Sequence, residues 1–114
     1  MPTRDEYLGE FEHIVLLALL RLGNTAYGMS VRSTIYKRIE RDVSIGALYA
    51  TLERLEKKGY VKSRMGESTE KRGGRAKRYF EVTAKGRKVL TDTRDRIEAM
   101  WVDWPGYEAV SEGF

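Results

Sequence analysis

At Gly59 the hydrophobic period of the chain changes. Upstream, "SIGALYATLERLEKK" places Ile45, Leu48, Leu52 and Leu55 at spacings of 3, 4 and 3, which is one face of an α-helix. Ser44 reads as its N-cap and Gly59 as its stop. Downstream, "YVKSRM" alternates and reads as a strand, with Tyr60 or Val61 leading the inward side. "GESTEKRGGRA" follows as a loop. "KRYFEVT" then reads as a second strand, with Tyr79, Glu81 and Thr83 on one face and Phe80 and Val82 on the other. Two strands joined by a glycine-containing loop make a β-hairpin with a long tip. A capped helix that runs straight into such a hairpin leaves few folds open.

The segments on either side narrow the choice further. Residues 8–22 carry Leu8, Phe11, Val15, Ala18, Leu19 and Leu22 on one helical face, and Ile14, Leu16, Leu17 and Leu20 widen that face almost all the way round. Such a helix is buried on more than one side. Gly23 and Asn24 end it. A second helix is expected over residues 27–39, with Val31, Ile35 and Ile39 as its inward stripe. Thr83 can cap a fourth helix over residues 84–104, which Pro105 ends. The tail over residues 105–114 has no clear pattern. Three helices, a hairpin and a further helix describe a mainly α protein with a small β-hairpin. The architecture expected is a winged helix-turn-helix domain over residues 1–83 and a C-terminal dimerisation helix over residues 84–104.

Composition enters here through the distribution of charge. The net charge is only +4, but residues 60–83 carry seven basic side chains against three acidic ones, and residues 1–12 carry one against four. Positive charge concentrated mid-chain suits a face that binds a polyanion. No cysteine is present, which removes disulfides, thiolate metal sites and cysteine nucleophiles and is compatible with a reducing compartment. The longest apolar run, "IVLLALL", is far too short to span a bilayer, and the opening "MPTRDEYLGE" lacks a signal-peptide core. A cytoplasmic protein is expected, with no membrane association. The one histidine, His13, lies in the most apolar helix and reads as a core or interface residue, not a catalytic base. Without a phosphate-loop motif or a metal-ligand cluster, no enzyme, cofactor or metal site is expected.

The third helix and the hairpin tip carry the candidate chemistry. Opposite the inward stripe lie Ala47, Ala50, Thr51 and Arg54, with Gly46 and Tyr49 flanking. A recognition helix enters the major groove by its outer, N-terminal end, and small residues such as Gly46, Ala47 and Ala50 let it approach. Ser44, Tyr49 and Thr51 can donate hydrogen bonds to phosphates or base edges, and Arg54 is placed to reach a phosphate. In the tip, Lys71, Arg72, Arg75, Lys77 and Arg78 put five positive charges into eight residues around Gly73 and Gly74. Such charges position a protein on the nucleic-acid backbone more than they specify sequence. The ordinary reading of both features is a solvated surface, and a winged helix can also serve as a protein-interaction module without DNA. Five charges on the tip favour double-stranded DNA. RNA is disfavoured because the chain lacks exposed aromatics on a sheet.

These residues resemble the PadR family of bacterial transcriptional regulators. The resemblance runs in register over about residues 8–90. It rests on "AYGMSVRSTI", "SIGALYATLERLEKKGYVKSR" and "GGRAKRYFEVTAKGRKVL". The family's "LYP" turn falls at Leu48, Tyr49 and Ala50, with alanine in place of the common proline, and its wing signature falls at residues 74–80, with Ala76 in the proline position. The resemblance implies a winged-helix DNA-binding domain, a homodimer made by the C-terminal helix, and repression relieved by an effector.

The last helix supports the dimer independently. Leu90, Ile97, Met100, Trp101 and Trp104 form an apolar stripe too long for the winged domain to cover, and the over-apolar first helix supplies a matching surface. Trp101 and Trp104 near a dimer axis could line a cavity for a flat, apolar or aromatic effector, although plain interface packing is the simpler role.

Overall fold

A computed structural model describes residues 7–66 and 76–111. The element order is α1 (Glu10–Leu22), α2 (Gly28–Ile39), α3 (Ile45–Lys57), β1 (Val61–Met65), β2 (Arg78–Val82), α4 (Ala84–Trp101) and α5 (Tyr107–Ser111). A single 3₁₀ turn, Gly23–Thr25, follows α1.

Each boundary has a local cause. Gly9 N–H donates to Glu12 Oε1 at 3.1 Å and opens α1. Gly23, at φ 60°, closes it, a backbone angle that costs glycine least. Ser30 Oγ accepts from Tyr27 N–H at 2.9 Å and starts α2. Ser44 Oγ accepts from Ala47 N–H at 3.1 Å and starts α3. Thr83 Oγ1 does the same for Gly86 N–H at 3.1 Å and starts α4. Side-chain oxygens satisfy amides that no helical carbonyl can reach.

β1 and β2 pair antiparallel, with Val61 opposite Val82, Ser63 opposite Phe80 and Met65 opposite Arg78. The outer edge of β2 is also covered. Phe80 N–H donates to Ala26 O at 2.9 Å, and Tyr27 forms a bridge to Tyr79. The linker between α1 and α2 thus serves as a third, very short strand. The sequence pattern does not announce it, because the linker is too short to show alternation.

The core lies between α1, α2, α3 and the hairpin. Val15, Leu16, Leu19, Val31, Leu48, Leu52, Leu55 and Phe80 are its most buried large side chains. Val31 and Ile35 face inward as expected, but Ile39 is exposed at the end of α2. α4 belongs to the core only through its first half, where Val89, Leu90 and Thr93 are buried. Thr93 Oγ1 accepts from Leu8 N–H at 3.1 Å and ties the chain's N-terminal side to α4. From Arg94 onward every residue of α4 is exposed.

α4 ends at Trp101, three residues before the expected Trp104. Val102 is extended and Asp103 has a positive φ of 62°. Pro105 disfavours helical geometry in the residue before it, and the chain turns away earlier still. The patternless tail holds one further short helix, α5, and Trp104 packs edge-on against Tyr107 with ring centroids 5.9 Å apart.

Candidate nucleic-acid interface

With 100° per residue, helix α3 divides into sectors. Leu48, Leu52 and Leu55 point into the core. Gly46, Ala50, Glu53 and Lys57 form the opposite stripe, with Ala47 beside it, and all five are exposed. Nothing lies within 4 Å of where a Cβ on Gly46 would sit. Ser44 is exposed too, but its hydroxyl already accepts the Ala47 amide as the cap.

Three of the expected contact residues turn out to be held by the protein itself. Thr51 is only 3 % exposed, and its Oγ1 accepts from Arg54 NH2 at 3.3 Å. It sits on the edge of the leucine sector, one turn from Leu48 and Leu55, and so faces inward. Tyr49 is half-buried and packs edge-on against Phe80, with centroids 6.2 Å apart. Its phenol also lies over Gly28, where an added Cβ would come within 2.5 Å of the hydroxyl oxygen. Tyr49 therefore joins α3 to the start of α2, and glycine is needed at position 28 for that approach. Arg54 Nε donates to Glu12 Oε2 at 3.3 Å, which ties it to α1, while its side chain stays 51% exposed.

The two flanks of α3 are fastened by ion clusters. On one side Glu12, buried on α1, accepts from Arg54 and from Lys58 Nζ, each at 3.3 Å. Burial pushes the Glu12 carboxyl up, but the Gly9 amide, Lys58 and Arg54 more than offset this and hold it below the usual glutamate value. On the other side Glu56 pairs with Arg78 of β2, and Ser63 Oγ donates to Glu56 Oε2 at 2.7 Å. Arg78 also lies over the Phe80 ring at 5.0 Å. This residue, expected to serve as a wing cation, thus belongs to the joint between hairpin and α3.

The loop end of the paired strands carries a stack of rings and cations. Lys77 Nζ stands 3.8 Å from the Tyr27 ring centroid, Tyr27 meets Tyr79 edge-on at 5.7 Å, and Arg64 lies 4.7 Å over Tyr79. Lys71, Arg72 and Arg75 lie outside the described residues. Sequence reasoning missed Glu12, Glu56, Tyr27 and Lys57. Counting in helical steps from Gly46 would have found Lys57, whereas pairings between elements leave no mark on a single chain.

The expected dimer stripe divides in the same way. Leu90 is 6 % exposed and belongs to the domain's own core, because α4 still lies against α1 at that turn. Ile97, Met100 and Trp101 are exposed, Met100 to 80 %. Trp104 is half-buried on Tyr107. Between α1, α4 and α5 runs an open cavity of about 760 Å³ lined by His13, Arg94, Ile97, Trp101, Tyr107 and Val110. Burial holds the His13 imidazole below its ordinary pKa. Among the described residues no cluster of His, Asp or Glu could hold a metal ion, and no helix is long and apolar enough to cross a membrane.

A family model, the transcriptional regulator PadR-like family, matches residues 16–92. The chain belongs to the PadR-like family. The match runs from the middle of α1 into the buried half of α4, and includes both clusters that grip α3 except Glu12. The family is one of transcriptional regulators, not enzymes. A transcriptional regulator from Clostridium thermocellum has a similar structure, at 27% identity and TM-score 0.67, covering 78% of this chain and 83% of that one. F93 from STIV, described as a winged-helix DNA-binding protein, is 25% identical with TM-score 0.61, covering 81% of this chain and 91% of its own. A PadR family regulator from Clostridium difficile shares the fold at 23% identity and TM-score 0.63, over 79% of this chain and 90% of that one. No curated protein matches the chain by sequence. In winged-helix terms the hairpin is the wing and α3 is the helix that precedes it. The helix exposes its smallest residues and is fixed in azimuth by the clusters on its flanks.

Proposed function

We propose that this chain is a sequence-specific DNA-binding transcriptional repressor that acts as a homodimer on a palindromic operator. The observation that carries the reading is the exposed stripe of α3. Gly46, Ala47 and Ala50 stand clear of all other elements at its N-terminal end, on a helix held rigidly from both sides. A helix so trimmed can enter the major groove, where base edges are read. Lys57 on the same stripe and the wing cations Lys71, Arg72, Arg75 and Lys77 meet phosphates. The exposed half of α4, with Ile97, Met100 and Trp101, and the outer side of α1, with Leu17, cover each other across a two-fold axis. The cavity beside Trp101 is the place for a small apolar or aromatic effector.

Selection of bound sequences from a pool of random duplexes tests this. The expected product is an inverted repeat with half-sites about one helical turn apart. Enrichment of no sequence, together with salt-independent behaviour on duplex DNA, would favour a protein-interaction module. Quenching of tryptophan fluorescence by planar aromatic compounds tests the effector cavity, and absence of quenching in a DNA-binding preparation leaves Trp101 a packing residue.

A further inference from the structure

Glu12 lies on α1, yet it holds two cations that belong to α3 and its cap. Its Oε2 accepts from Arg54 Nε and Lys58 Nζ, each at 3.3 Å, while Oε1 accepts the Gly9 amide at 3.1 Å. The carboxylate is buried, with its side chain 11% exposed, but the Arg54 side chain is 51% exposed. The cations therefore stand at the rim of the cluster, with one side on Glu12 and the other in solvent. Arg54 follows Ala47 by two helical turns on the same line, and Lys58 follows one turn later. Released from Glu12, both would border the stripe assigned to the groove.

We propose that Glu12 is a specificity-determining residue that withholds Arg54 and Lys58 from DNA phosphates. The proposal rests on the DNA-binding reading above. Phosphate contacts are blind to sequence and strengthen binding to every duplex. Two long, mobile cations beside the groove face would add such contacts wherever α3 landed. A buried carboxylate holds them because attraction is stronger at its low-dielectric site than at a hydrated phosphate. Their attachment also fixes the azimuth of α3, so that Gly46, Ala47 and Ala50 are the residues presented. Glu12 touches no DNA itself; it is a positioning residue that acts through Arg54.

The test uses the full chain, the selected operator and a random duplex, each titrated over a range of salt. Glu12→Gln keeps the shape and removes the charge. It should raise affinity for random DNA, lower the operator-to-random ratio, and steepen the slope of log affinity against log salt by about 0.9 for each freed cation that reaches a phosphate. Adding Arg54→Gln to that variant should return the slope by about 0.9. A Glu12→Gln protein that is folded by circular dichroism but has an unchanged slope and ratio would overturn the proposal. Should that variant not fold, Arg54→Gln in the otherwise unchanged chain decides. With Arg54 already withheld, this substitution should leave the slope as it was. A slope flattened by about 0.9 would place Arg54 on a phosphate with Glu12 present, and the proposal would fall. Wild-type protein that binds no duplex at any salt would overturn the DNA-binding reading along with it.

Discussion

Gly46 and Gly86 are both helical glycines, and the same substitution should move them in opposite directions. A Cβ on Gly86 would lie 2.2 Å from the Tyr60 carbonyl oxygen, and that oxygen is fixed by the Thr83 amide at 3.0 Å. Backbone cannot give way there as a flexible side chain can. Gly86→Ala should cost about 1–3 kcal/mol in urea denaturation. Gly46 has open space around it, so Gly46→Ala should stabilise the fold by up to about 1 kcal/mol through helix propensity. It should nevertheless weaken operator binding, because the added methyl stands on the face proposed to enter the groove. Acid stability is a second matter for single residues. Glu12 has a folded pKa below its unfolded value of 4.5, so its contribution is present above pH 4.5 and is lost as pH falls through the folded value. His13 is also lowered from 6.5, which favours the folded state above that pH and removes the gain as pH falls below it. Urea midpoints should therefore decline in two steps on acidification. Glu12→Gln should abolish the lower step and leave the upper one.

At the scale of elements, α3 and α4 each carry two roles along one helix. In α3 the roles are divided around the axis. Arg78 joins the wing to one flank through Glu56, whereas Lys57 sits on the exposed stripe and makes no ion pair among the described residues. Lys57→Ala should flatten the salt slope of DNA binding by about 0.9 with little change in stability. Arg78→Ala should leave the slope nearly unchanged and lower stability by up to about 1 kcal/mol, the range for a partly exposed pair. In α4 the roles are divided along the axis. Its first half is core, and its second half exposes Ile97, Met100 and Trp101. Ile97→Glu combined with Met100→Glu should give a monomer in sedimentation at micromolar concentration, with an unchanged circular dichroism spectrum. A variant that remained dimeric would place the interface elsewhere.

On the proposed reading, the whole molecule sets the geometry of the operator. The wing docks on the α1–α2 linker through Phe80 and Ala26 and through the Tyr27–Tyr79 stack near its loop end, and on α3 through Arg78 and Glu56. Wing and α3 are therefore fastened to each other and to the α1–α2 linker. In the proposed homodimer, two such bodies joined through α1 and α4 would present two copies of α3 at a set separation. Inserting about half a helical turn of DNA between the half-sites, roughly 5 bp, should abolish cooperative binding by turning them to opposite sides of the duplex. Inserting a whole turn should restore the phase and recover part of the affinity. Gel shifts on the spaced operators would show this, and equal affinity at every spacing would mean that the two domains are not rigidly coupled.

Much of this arrangement is carried by local rules. The caps at Ser44 and Thr83, the stop at Gly59, the leucine face of α3 and the inward Phe80 and Val82 of β2 all follow from short-range preferences and periodicity, which neighbouring residues impose on each other. The order of elements and the family resemblance were legible for the same reason. What the tertiary structure alone decided is which polar side chains remain available. Tyr49, Arg54 and Arg78 stand at positions where helical counting or charge points outward, and each meets a partner from another element: Tyr49 meets Gly28 and Phe80, Arg54 meets Glu12, and Arg78 meets Glu56. Leu90 is withdrawn from the exposed stripe of α4 in the same way, by the turn of α1 that lies against it. A buried carboxylate recruits whichever cation the fold brings within reach, and that distance exists only once α1 and α3 have packed.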